Sequence, residues 1–406
     1  MRKNLTSRSP LCRALLAATT LFLIAPTGSA EETLSPYTFE GQYRLDSWTG
    51  LSGPLKSRLG HSGLFDLRFA VDGEKAWAWA GGRVFLQAQA THGNHPNRKQ
   101  SAAQGIDNIE VAVNAVRLFQ AWAEQSLFDE RVSILFGLLD LNSEFDVTES
   151  SATLIHPSFG LSSEIAQTGR NGPSVFPVSS LALRGAWKID EHFTLRSALF
   201  DAVPGDPARP RATRIRLGHG EGTLLINELS YSNKSNEHAV NKLAIGAWRY
   251  SSKFDDHVDI DSAGDPIKRK SRGVYALGEH TLWRANVDGS RGIDGFLRMG
   301  VAAGSVSQMD KALGAGFTWR GPFESRPKDK LTIGIAAEHN SHKWRSAQRA
   351  AGLADPAIEA AYEISYRALV NDSLSVQPDV QWVRSHGNPL AYKDALLLGV
   401  RFDIAF

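Results

Sequence analysis

From Tyr37 to its last residue, the chain repeats one pattern: stretches of about ten residues in which every second side chain is apolar. The final stretch, LLLGVRFDIAF, shows it plainly. Leu396, Leu398, Val400, Phe402, Ile404 and Phe406 form one set; Leu397, Gly399, Arg401, Asp403 and Ala405 form the other. A strand sends successive side chains to opposite faces, so one face is wholly apolar and the other carries charge. The same alternation runs through YTFEGQYRLD, LFDLRFAV, SLALRGAWK, LTIGIAAE, IEAAYEISYRA and SLSVQPDVQW. None of these stretches has the 3.6-residue spacing of a helix.

About sixteen such segments are expected, an even number of the kind membrane barrels favour. They lie near 37–46, 63–73, 80–92, 114–127, 130–141, 179–189, 192–202 and 222–233, then 238–252, 271–285, 292–305, 309–320, 329–341, 357–370, 373–385 and 392–406. Their connections alternate in length. Those near 129, 190, 235 and 371–373 are short; those at 93–113, 142–178, 203–221, 253–270 and 342–356 are long. The connection near 306–309 should be long and is not. Aromatic residues sit near segment ends: Tyr37, Trp187, Trp248, Tyr250, Trp283, Trp319, Trp382 and Phe406. Girdles of this kind flank the apolar band of outer-membrane barrels.

Closure follows from solvation. In hydrocarbon an unpaired backbone amide costs several kcal/mol, so a sheet that spans a membrane has no edges. One face then meets lipid and the other meets water. The fold class expected is all-β: a single transmembrane antiparallel barrel with short periplasmic turns, long extracellular loops and one loop folded into the lumen. A soluble β-protein with this pattern would have to pack its apolar face on a second sheet.

The first thirty residues read differently. Arg2, Lys3, Arg8 and Arg13 precede the apolar stretch ALLAATTLFLIAP, and Gly28-Ser29-Ala30 follows. That is the layout of a secretory signal peptide. Its removal leaves 31–406 as the barrel domain and takes away Cys12, the one cysteine of the chain. It also turns the formal charge from +2 to −2. No sustained basic stripe points to nucleic acid.

The segment 137–187 carries the most specific signal, in LLDLNSEFDVTES, HPSFG and AQTGRNGPSVFPVSSLALR. With EAAYEISYRALVNDSLSVQPDVQWV near the C-terminus, it resembles the carbohydrate-selective porins of the OprB family. The resemblance implies a sixteen-stranded outer-membrane channel for mono- and small oligosaccharides and other small hydrophilic solutes. It also implies assembly as a homotrimer, as among porins generally, although the sequence shows no interface. The terminal strand ending in Phe406 resembles the tag read by the barrel assembly machinery.

The residues themselves agree. A connection as long as 142–178 is usually functional. Folded inward, it would place Asn142, Glu144, Asp146 and Glu149 at a constriction, with Arg184 and Arg196 on the wall. Carboxylates and amides accept protons from sugar hydroxyls, and Arg donates to them. Other lumen-facing positions are Arg44, Arg68, Arg83, Gln120, Trp122, Glu124, Glu363, Arg367, Asp379, Gln381, Arg401 and Asp403. Arg298, Glu110 and Glu338 share that expectation. Opposed rows of both signs would set up a transverse field across the pore. Trp122 reads equally well as a stacking platform or as packing. The Arg-rich stretch 209–216 lies on the expected outer side, where outer-membrane lipids and the phosphates of lipopolysaccharide would be its partners.

No metal or cofactor site is expected. His92-x-x-His95 and His339-x-x-His342 each lack a third ligand nearby. The competing readings are an outer-membrane barrel enzyme and a secreted soluble polysaccharide-binding β-protein. No G-x-S-x-G elbow supports the first.

Overall fold

The computed structural model describes residues 35–100, 102–233, 238–386 and 394–406. The expected signal peptide, residues 1–30, lies outside the described residues. Each alternating segment is a strand. The first eight are β1 (Tyr37–Gly50), β2 (Leu59–Asp72), β3 (Gly82–Gly93), β4 (Val116–Leu127), β5 (Val132–Leu139), β6 (Ser180–Lys188), β7 (Phe193–Asp201) and β8 (Thr223–Ser232). They continue as β9 (Asn241–Ile260), β10 (Pro266–Arg284), β11 (Gly292–Ala302), β12 (Met309–Arg320), β13 (Lys330–Asn340), β14 (Ile358–Asn371), β15 (Leu374–His386) and β16 (Ala395–Ala405). Every strand pairs antiparallel with its sequence neighbours, and β1 pairs with β16, so the barrel is closed. Among the described residues no helix is long and apolar enough to cross a membrane.

The seam runs from Gln42 opposite Ala405 to Gly50 opposite Leu397, and the last residue extends it. The Phe406 amide donates to the Gly41 carbonyl, and the Gly41 amide donates to the Phe406 carbonyl, both at 2.9 Å. The Phe406 ring lies tilted against Phe65, with centroids 5.8 Å apart. A Cβ on Gly41 would stand 2.1 Å from that ring. The bare backbone at 41 is therefore the seat of the terminal aromatic.

The outer face is a belt of solvent-accessible apolar side chains, among them Phe39, Phe136, Leu183, Leu243, Ile245 and Ile364. A belt of that extent is tolerable only against acyl chains. Trp187, Trp283 and Trp382 are exposed at its margins. Trp248 and Tyr250, expected in the girdle, instead point inward and are buried. Parity decides this: Leu243, Ile245 and Ala247 face lipid, so Trp248 and Tyr250 pack inside with Phe145 and Ile165.

The connection 253–270, expected as a loop, continues β9 and β10 as a hairpin that turns at 261–265. Its inner side is held by charge. Lys343 Nζ, from the helix His342–Ala350, lies 2.8 Å from Asp256 and 2.5 Å from Asp259, and Arg269 reaches the same two carboxylates. Lys253 and Asp255 fall on one parity and Asp256 interrupts the other, between Phe254 and Val258, so the hydrophobic alternation is broken there. The connection at 303–308 is short, as its sequence suggested, and closes with two amides on the Ala303 carbonyl.

Candidate functional site

Two loops fold into the lumen, where the sequence had suggested one. The segments 94–100, 102–115 and 140–179 lie against the wall made by β8–β16 and β1. A loop inside a barrel takes its amides out of bulk water, and those amides need acceptors. The wall supplies them. Glu228 accepts from the amide of Asp146 at 2.9 Å, Glu279 from Ser150 at 2.6 Å, and Glu363 from His156 at 2.9 Å. Glu359 accepts from Ala103 and Gln104 at 3.0 and 3.1 Å.

Arg298 is the main bolt of the longer loop. Its side chain is buried, ion-paired with Asp146, and donates to the carbonyls of Phe159 (2.9 Å) and Gly160 (2.5 Å) and to Ser162 Oγ (3.2 Å). The shorter loop has its own. Arg401 binds Asp46 through two contacts at 2.7 and 2.5 Å and reaches Asn108 Oδ1 at 2.6 Å. Gln381 donates to the Ile106 carbonyl at 2.9 Å, and Trp48 Nε1 donates to Asp107 at 3.2 Å.

These contacts correct part of the expected site. Asp146 is fully buried beneath the loop and is an anchor, not a constriction residue. Glu363, Asp379, Gln381, Arg401 and Glu338 face inward as expected, but they are buried instead of lining water. Glu110 sits on the shorter loop, where it accepts from the Asn97 amide, and not on the wall. Strand parity fixes which way a side chain points; the loop packed on it decides what it meets.

The other half of the lumen, along β1–β7, is open. A cavity of about 840 Å³ runs from Thr38, near the turn-side end of β1, up to Ile109 and Phe176 of the loops. It shares Ala166, Val175 and Phe176 with a cavity of about 330 Å³ among the long loops. It shares Arg83, Phe85, Gln120 and Ser143 with one of about 410 Å³ that reaches Glu130 and Arg131 in the turn after β4. The three adjoin as a path from the long-loop side to the short-turn side.

At the lower junction, loop and wall carry a compact set of charges. Arg184 Nη2 lies 2.8 Å from Glu124 and 2.9 Å from Glu144, and Arg196 Nε lies 3.2 Å from Glu144. Trp122 stacks on Phe85 with centroids 5.1 Å apart and an interplanar angle of 26°. Gln120 donates to Gln87 Oε1 at 2.7 Å. Asn142 lines the large cavity while its amide donates to the carbonyls of Phe145 and Asp146. Arg68 (3.4 Å from Asp66) and Arg44 (3.2 Å from Asp403) line the same cavity with Arg83.

Glu149 is exposed, lies outside these cavities and is within electrostatic reach of Lys330. Arg367 bonds to Ser375 Oγ at 3.2 Å and is also outside them. Along the open path, charges of both signs stand at this junction and in the pairs Arg68–Asp66 and Arg44–Asp403. The sequence reading passed over Phe85, Phe119 and Phe176. Phe85 had a signal, as a lone aromatic on the polar face shared by Arg83, Gln87 and Gln89. Phe119 had none, because a bulge opposite Gln87 and Ala88 turns it inward.

The longer loop also contains a titratable wedge. Glu164 is fully buried, and its carboxyl occupies the space that a Cβ on Gly300 would need. Burial first, and then the nearby Asp146 charge, push its pKa up to about 8. A carboxyl with a raised folded-state value penalises the docked loop as pH rises from its usual range, near 4.5, to about 8, by about 1.4 kcal/mol per unit. Below that window the penalty vanishes; above it the penalty is constant. The expected result is a quiet open-channel current near pH 5 that grows noisier toward pH 8.5. Glu164→Gln should flatten that trend, and an unchanged trend in this variant would assign it to other groups.

Residues 56–406 match the family described as carbohydrate-selective porin, OprB family. Porin B of Pseudomonas aeruginosa is 24% identical over 315 residues, covering 71% of this chain and 68% of that one. The high-pH structure of OprB from Pseudomonas putida superposes with a TM-score of 0.81 at 20% identity, covering 91% of this chain and 94% of that one. Its low-pH structure gives 0.57 at 18% identity, covering 91% and 93%.

Proposed function

Because the chain belongs to the OprB family of carbohydrate-selective porins and is an outer-membrane sugar channel, we propose that its solutes travel the open β1–β7 half of the lumen. In this reading they are sorted at the junction of Trp122, Phe85, Glu144, Arg184 and Arg196. The run of three adjoining cavities carries this reading. A pyranose has one apolar face and a rim of hydroxyls. The Trp122–Phe85 pair offers the aromatic surface that such a face stacks on. Glu144 accepts from hydroxyls, while Arg83 and Arg196 donate to them. Passage requires that each contact be weak, since a solute has to leave as readily as it enters.

The test is reconstitution in planar bilayers. Ion-conducting pores whose current falls as sugar is added are expected, and the sugar should be recovered unaltered on the far side, since no bond is made or broken. Absence of conductance would end this reading. Trp122→Ala should weaken the sugar block about 2- to 12-fold, the range for an aromatic contact of about 0.5–1.5 kcal/mol, with the salt current retained. An undiminished block would make Trp122 a packing residue.

Further partners follow from chemistry. Residues 1–30 are removed on export, leaving Glu31 as the mature N-terminus, which N-terminal sequencing reads directly. The assembly machinery engages the β16 strand through Phe406. The exposed Arg209, Arg211 and Arg214 of the loop after β7 meet lipopolysaccharide phosphates.

A further inference from the structure

The outward face of the long β9–β10 hairpin carries a charge arrangement that sugar passage does not use. Arg249 stands directly opposite Arg272 in the ladder, and Lys253 stands directly opposite Lys270. All four side chains are exposed. Like charges directly across a strand pair repel. Among the described residues none of the four has a carboxylate partner. The next pair up, Lys268 and Asp255, is compensated by contrast.

The position of the patch matters. Leu243 and Ile245, on the same face of β9 just below Arg249, are 60% and 64% exposed, as lipid-facing residues are. Trp283, in the turn-side girdle, is eleven residues from Arg272 on the same strand. At about 3.3 Å per residue and a tilt near 40°, that separation is about 28 Å of height. The apolar band of such barrels is about 25 Å tall, so Arg272 stands at the outer-leaflet interface. A concave surface of about 590 Å³ opens there. Arg249 and Arg272 border it, and Leu225, Ala247, Val274 and Val301 contribute its apolar wall. Lys311, directly opposite Val301, extends the positive edge.

We propose that this surface binds a phosphorylated glycolipid of the outer leaflet, the lipid A portion of lipopolysaccharide. Its phosphate is held between the two guanidiniums, and an acyl chain lies along Val274 and Val301. Two facing guanidiniums suit one phosphate through paired N–H···O bonds, and the anion removes the repulsion that the bare ladder carries. The apolar wall directly below suits a ligand with its charge and its hydrocarbon on one molecule, which free phosphate is not.

The test uses the full barrel purified in detergent, with native mass spectrometry of retained lipid. Diphosphorylated lipid A should be retained, and the same lipid stripped of phosphate should bind at least about tenfold less. The double variant Arg249→Ala/Arg272→Ala should lose retention to a similar degree while its sugar-blocked current stays that of the parent. The double lysine variant, Arg249→Lys/Arg272→Lys, should recover part of it. Equal binding of the phosphate-free lipid, or unchanged retention in the alanine variant, would overturn the assignment. Loss of an oligomer in the alanine variant, with lipid binding intact, would overturn it too and give the patch to a protein neighbour.

Discussion

Arg298→Ala is expected to raise the single-channel conductance, make the open current flicker, and weaken the block by sugar. Arg298 lies in β11, and no reading of the loop alone would single it out. It joins Asp146, Phe159, Gly160 and Ser162, so one side chain gathers both ends of the inward stretch. Truncation leaves Asp146 as a buried charge with no counter-ion. Breaking one side of a buried pair costs about 3–5 kcal/mol, enough to favour the undocked loop by about two to nearly four orders of magnitude over its present balance. Glu228, Glu279 and Glu363 still hold the amides of Asp146, Ser150 and His156, so the turn through Phe159, Gly160 and Ser162 is what lifts, not the whole loop. The barrel should close as before, because its ladder does not involve this side chain. The double variant Asp146→Asn/Arg298→Met, which removes both charges, should recover much of the quiet current. A single variant with the parent's conductance and noise would show that the remaining anchors suffice.

The second large effect is expected from Arg184→Met. Arg184 is buried between Glu124 and Glu144, one on the wall and one on the loop. Arg196 then remains as the one cation bonded to Glu144, and Glu124 has none. The junction becomes more negative by one unit. In a salt gradient at about 0.1 M, where charges act over about 10 Å, the reversal potential should move severalfold toward cation preference. At 1 M salt the shift should shrink. Sugar block should fall as well, since Glu144 is then held by Arg196 alone. A reversal potential equal to the parent's would mean that ions do not pass this junction.

How much of this was legible in the residues divides along one line. The segment expected at 309–320 is β12 at those bounds, and the final segment ends within a residue of β16. Alternation is a local property, written into each strand by its own side chains. It failed where charges interrupt both parities, in the hairpin through 253–270. It failed again at Trp248 and Tyr250, where residue type suggested a girdle and parity put both rings inside. Inward direction was also legible: Arg83 and Glu363 were both expected to face the lumen, and both do. One is exposed beside a cavity, and the other is buried under the amides of Ile155 and His156. Nothing near either residue in sequence distinguishes them.

Local patterning, then, specifies the wall. Period-two alternation, the absence of a long apolar run and the even count of segments leave a closed barrel as the arrangement that satisfies every amide in lipid. The pore is set by contacts across the folded chain. Whether an inward side chain touches water or anchors a loop depends on pairs such as Arg298 with Asp146, 152 residues apart, and Glu363 with His156, 207 apart. Such contacts join chain segments remote from one another in sequence, so no local pattern encodes them.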